Sequence, residues 1–219
     1  MILSFGAVLD CFDNKIKGEF FIMKYEFTAE VKRQGPALLR RIRALVDIPR
    51  YGVKAGDLGG CIESKKNLSQ VGDAWVDDEA VVFGEAYVYG NAIARDYAIV
   101  RDDATVCGNA EVCENAIVKG EAKICHNAVV SGNAHISGCA EVNGNARVTG
   151  DAIVCDNAMI LGNAYVYGNA SVTNHAKVSG DARIGGRTIV CDDAEVRGRA
   201  RLYHFACAGD KTVIDNRSY

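Results

Sequence analysis

The chain has almost no proline, two in 219 residues, and only one tryptophan. So little proline, beside 23 glycines that follow no Gly-X-Y period, excludes a collagen-like rod and a proline-rich linker. No run reaches the roughly 18 apolar residues of a bilayer-spanning helix, so no membrane partner is expected. A dominant charge is missing too: 25 Lys and Arg stand against 28 Asp and Glu, for a net charge of −3. The signs are interspersed, without the basic stripe of a nucleic-acid binder, so no nucleic-acid partner is expected either.

Cysteine is the residue present in excess. The nine are Cys11, Cys61, Cys107, Cys113, Cys125, Cys139, Cys155, Cys191 and Cys207. Their number is odd, and no secretory signal accompanies them. Residues 1–12 lack a basic start and carry Asp10 inside the apolar run. Free thiols in a reducing cytosol are the expectation, which places the protein in the cytoplasm. No CxxC or Cys/His cluster has zinc spacing, so no metal site is expected. Lys17-Gly18-Glu19 can be encoded as AAAGGAGAA, which contains a bacterial ribosome-binding sequence, ahead of Met23. Residues 1–22 therefore read as a translated leader with Met23 as initiator, or as a disordered extension.

Residues 74–206 are an unbroken six-residue repeat. Of 23 positions from 74 to 206, 22 are Ala, the exception being Thr188. Two residues later, 21 of 22 positions are Val, Ile or Leu, the exception being Ala94. Gly fills 13 of 22 positions four residues after the alanine, and Asn or Asp fills 13 of 22 one residue further. Ala-x-Val is a period-2 strand with both named residues on one face. Gly-Asn is turn chemistry: Gly takes positive φ freely, and Asn tolerates it best among side chains. Each hexad makes a short strand and a corner. Three corners close a triangular coil, so three hexads make one turn. The fold class is all-β, a single-chain left-handed β-helix of about seven coils, roughly 35 Å tall at the usual inter-strand spacing. Cys107 and Cys125 stand three hexads apart, in equivalent positions on adjacent coils, and such a coil would bring them within disulfide range.

The runs that carry this pattern, such as Gly162-Asn163-Ala164-Tyr165-Val166-Tyr167-Gly168-Asn169-Ala170, resemble the hexapeptide-repeat proteins of the trimeric LpxA-like superfamily. Within it the chain is most similar to YdcK-type β-solenoid proteins of bacteria and prophages. The segment Lys54-Ala55-Gly56-Asp57-Leu58-Gly59-Gly60, with Glu63-Ser64 and Asn67-Leu68-Ser69, shares in the likeness, which covers roughly residues 24–206. The resemblance implies a trimer with parallel axes. For the acyltransferases of the superfamily it also implies a histidine general base at a subunit interface.

Residues 23–70 read as an N-terminal β cap that hides the open edge of the first coil, with strands at Tyr25–Thr28 and Leu38–Val46. The solenoid proper spans 71–206. Residues 207–219 read as a polar C-terminal tail, with Tyr203 and Phe205 as candidates to plug the last coil.

Every third hexad shares a face, so the residue after each alanine can be sorted by arithmetic. One face carries the mixed set Trp75, Ile93, Glu111, Val129, Arg147, Tyr165, Arg183 and Arg201. A second carries Tyr87, Thr105, Lys123, Glu141, Met159, Lys177 and Glu195, a solvated wall with opposite charges stacked. The third carries Val81, Ile99, Ile117, His135, Ile153, Ser171 and Ile189, with Phe83, Cys155 and Cys191 beside them. An aliphatic stripe on an outer face marks an interface. Self-association is expected through Val81, Phe83, Ile99, Ile117, Ile153 and Ile189.

Of the four histidines, His126, His175 and His204 occupy corner positions. His135 lies mid-strand in the aliphatic row, where a catalytic histidine of the superfamily can lie. Two functions follow. The first is a structural or binding scaffold without enzymatic activity or cofactor, self-associating, its other partners unspecified. The second is an acyltransferase with His135 as general base and acetyl-CoA as donor. The uninterrupted repeat leaves no loop to fold over a substrate and favours the scaffold.

Overall fold

The computed structural model describes residues 22–216. Nearly all of the leader segment therefore lies outside the described residues. Three strands come first: β1 (Tyr25–Gln34), β2 (Ala37–Ala44) and β3 (Leu58–Ile62). Two- and three-residue strands follow at every hexad, from β4 (Trp75–Val76), β5 (Val81–Val82) and β6 (Tyr87–Val88) to Val213–Asp215. They form three parallel stacks in which each residue pairs with its equivalent three hexads on, as in Ile93↔Glu111↔Val129. The chain is a β-solenoid.

The hexad explains its own geometry. Between coils, three N–H groups per hexad donate: Ile93 to Ala110 O at 2.9 Å, Arg95 to Val112 O at 3.0 Å and Tyr97 to Glu114 O at 2.9 Å. The residue four after each interior alanine position has φ between 49° and 77°, from Asp78 to Asn216. Its own N–H takes no part in this ladder, and the turn costs least for glycine. At Gly132 a Cβ would also sit 2.6 Å from the Gly150 nitrogen, because corners stack backbone on backbone. The residue after the glycine does not share the left-handed conformation, contrary to the expectation for Asn. Its role is lateral. Asn91, Asn109, Asn127, Asn145 and Asn163 each donate Nδ2 to the Oδ1 of the equivalent residue on the next coil, ending at Asp181, over 2.9–3.2 Å.

Inside, the alanine and aliphatic rows are fully buried from Ala74 to Ala200. Burying each valine is worth about 1.5–3 kcal/mol, and every coil relies on its neighbours for that burial. Thr188 keeps its place in the alanine row because its hydroxyl donates to Gly185 O at 2.7 Å.

Both ends of the solenoid reach past the repeat as read from the sequence. β3 already belongs to a stack: Cys61 pairs with Val81 in parallel, but over a longer stretch of chain than three hexads. At the other end Cys207–Ala208 and Val213–Asp215 continue two sheets in register. The segment expected to be a tail is thus coil as far as residue 215. One sheet stacks nine parallel strands from β3 onward, against about seven coils expected. Phe205 does not plug the last coil; it is 77 % exposed at a corner.

The cap is continuous with the solenoid. β1 and β2 form an antiparallel hairpin that extends the sheet of β3. Arg41 fastens it to the first coil: its guanidinium donates to Glu30 at 2.8 Å, Glu79 at 2.7 Å, and the carbonyls of Gly59 and Asp78 at 2.9 Å. Lys24 closes the core beneath, its Nζ donating to Ala74 O at 2.7 Å. Burial pulls that amine down to about 8, against the opposing pull of Asp73.

Candidate functional site

The aliphatic row of the third face runs in one line: Cys61, Val81, Ile99, Ile117, His135, Ile153, Ser171, Ile189 and Cys207 are successive register partners. The two ends of the line meet different surroundings. Val81 is only 3 % exposed, packed with Ala37, Leu39 and Cys61, and Phe83 and Ile99 lean on the same cluster. These residues contribute to the chain's own cap, so Val81 is not open to a partner. Ile153 and Ile189, beyond the cap, are 46 % and 47 % exposed.

Where cap and bare row meet, the hairpin tip overhangs the face. Gln34, Gly35 and Pro36 enclose a groove of about 370 Å³ with Phe83, Ile99, Ile117, Arg101, Lys119 and His135. Its lining is apolar at Phe83, Ile99 and Ile117 and basic at Lys119 and at Arg101, which pairs with Asp102 at 3.3 Å. His135 is exposed in the same lining, between Ile117 and Ile153 in register. Among the described residues no carboxylate hydrogen-bonds to its ring. His126 and His204 take the left-handed corner position, with φ of 61° and 62°, and His175 meets Asn157 at 3.4 Å.

On the second face Lys123 and Lys177 lie in register with Glu141 and Glu195, as the arithmetic requires. The carboxylates choose nearer partners, however. Glu141 accepts from Asn143, and Glu195 pairs with Arg197 at 3.5 Å.

The cysteines divide sharply. Cys107 and Cys125, on adjacent coils with Cα atoms 4.7 Å apart, form a disulfide, contrary to the expectation of free thiols throughout. In-register stacking brings their side chains within reach. Cys113 is buried, and desolvation pushes its thiol up to about 12. Burial raises Cys61 as well, opposed by Arg41. Cys139 and Cys207 are exposed. Among the described residues no three His, Cys, Asp or Glu side chains converge as metal ligands, and no helix is long and apolar enough to cross a membrane.

Sequence reasoning missed the hairpin overhang and the two terminal coils. The C-terminal signal was present: Thr212 and Ile214 continue the two interior rows, and Thr188 had already shown that threonine is admitted. The overhang has no local signature. No protein-family model matches the chain, and no curated protein matches it; its likeness to other solenoids rests on the repeat itself.

Proposed function

We propose that the protein is a non-enzymatic scaffold, a rigid left-handed solenoid whose bare aliphatic row packs against the same row of a second copy, most simply in a parallel trimer. One observation carries this reading: Ile153 and Ile189 stay about half exposed in the very row whose first members are covered by the chain's own cap. The row favours an apolar covering; the cap supplies it over the first coils, and a second copy supplies it over the rest. Replacing Ile117 and Ile153 together by Lys should reduce the mass measured by light scattering to that of a monomer, with the far-UV circular dichroism of the wild type. A monomeric wild type, or an oligomer that survives both substitutions, would refute the reading.

The groove beneath the hairpin supports a second reading, acyl transfer from acetyl-CoA with His135 as general base. An apolar lining beside Arg101, Lys119 and His135 is a setting in which an anionic acyl donor could lie. An acetyl-CoA-induced rise in melting temperature that His135→Ala abolishes would favour it over the scaffold.

A further inference from the structure

The face that looked mixed in sequence is divided by charge in space. Its C-terminal half carries Arg147, Tyr165, Arg183 and Arg201 in successive register. Arg183 and Arg201 are direct partners, and like charges directly opposite each other destabilise a sheet. The second face places glutamate beside lysine at the equivalent positions. Here no such relief exists. Among the described residues none of these three arginines, nor the nearby Arg187, has a carboxylate within ion-pair distance. The bordering carboxylates are engaged elsewhere: Asp151 accepts from Asn133 at 2.8 Å and Asp181 from Asn163 at 2.9 Å.

Aromatic rings are set among these cations. Tyr165 and Tyr167 stack with centroids 4.7 Å apart, and Tyr203 follows at 6.5 Å from Tyr167. Position 185 between Tyr167 and Tyr203 is glycine, and a Cβ there would collide with the Tyr167 ring, so the ring lies against the backbone as part of a low surface. Phe205, at the adjoining corner, is 77 % exposed and stands beside the Arg187 guanidinium at 5.8 Å. An apolar ring left in solvent next to unpaired arginines suits a ligand with both negative charge and flat, stackable groups.

We propose that this half-face binds single-stranded nucleic acid, with Arg147, Arg183 and Arg201 on phosphates and Tyr203 and Phe205 stacking on bases. Arginine serves phosphate well because its planar fork presents several donors, and rings that stack bases give sequence-tolerant binding to single strands. The rings decide the class, since an acidic protein or a sulfated polysaccharide offers charge without bases. The chain-wide balance of charge, from which no nucleic-acid partner was expected, averages over faces that the fold separates. This inference goes beyond the scaffold reading and does not depend on it.

The test is fluorescence anisotropy of the full chain with labelled oligothymidylate across a salt series, with a sulfated polysaccharide and polyglutamate as competitors. Binding should weaken with salt. Exchanging Arg183 and Arg201 for Glu should weaken it by about tenfold or more and flatten the log–log salt slope by about 1.4, at roughly 0.7 for each phosphate left unneutralised. Phe205→Ala, at an exposed site where the fold is kept, should weaken it about fivefold or more, with the salt slope unchanged. No binding at low salt would overturn the proposal. So would equal competition by the sulfated polysaccharide or polyglutamate together with indifference to Phe205→Ala, which would mark a surface for polyanions without bases.

Discussion

The first and last coils of the solenoid present the same outer rows, yet those rows have opposite fates. Trp75 begins the row that ends in Arg201; the tryptophan is fully buried and the arginine exposed. Cys61 and Val81 begin the row that ends in Ile189 and Cys207, again buried at one end and open at the other. The cause is the segment before the repeat. The hairpin leans over one face, while Ile42 and the backbone at Gly59 close over Trp75. An outward position in a solenoid is therefore solvent-facing only where no other part of the chain returns to it.

The contrast can be broken by paired substitutions at equivalent positions, followed by chemical denaturation. Trp75→Ala should cost about 3–5 kcal/mol, as expected for a large aromatic in a closed site. Tyr165→Ala, five coils on in the same row, should cost about 1 kcal/mol, mostly its stacking on Tyr167. Equal losses would mean that the cap does not bury Trp75 in solution. A smaller difference is expected between Val81→Ala, at about 1–3 kcal/mol, and Ile189→Ala, within about 0.5 kcal/mol in the monomer.

The asparagine ladder sharpens the comparison at the corners. Asn127 gives and receives a ladder bond, whereas Asn169, at the same hexad position on another corner, makes no side-chain bond among the described residues. Asn127→Ala should cost about 0.5–1.5 kcal/mol, and Asn169→Ala close to nothing. Matching losses would show that asparagine serves the turn itself rather than the stack.

Thiol labelling reads the same division with no change in stability. Cys207 should react quickly with a maleimide at neutral pH. Cys61, buried beneath the cap with a raised thiol, should wait on local opening, and Cys113 with it. Under denaturation without reductant, Cys107 and Cys125 should stay unlabelled, because they are paired. Nine labelled cysteines would restore the expectation of free thiols, and rapid labelling of Cys61 would contradict its burial.

The repeat was legible because each of its demands is local. A strand of two residues needs a small and a branched side chain on one face, and a corner needs one residue at positive φ. The register of the outer rows followed from the three-hexad turn alone, and the sheets place Ile117, His135 and Ile153 in one line as that arithmetic requires. The first coil was hidden because its step to the next is longer than three hexads, so Cys61 and Ile62 fall out of phase with the alanine series. The last was hidden because Thr212 replaces alanine there. Of the candidate site, the aliphatic row and His135 could be named in advance, but not the overhang of Gln34, Gly35 and Pro36 that makes part of the row a groove wall.

What the sequence by itself determined is the prism: interior rows, corners and the spacing of outer residues all repeat with the hexad, and steric rules acting over that distance suffice. What only the tertiary structure decided is which outer residues remain available. That depends on a hairpin folded back across residues far along the chain, on Arg41 fastening it to Glu79, and on which carboxylates are already engaged when an arginine looks for a partner. Burial and charge pairing are properties of whole neighbourhoods, and no hexad contains its own neighbourhood.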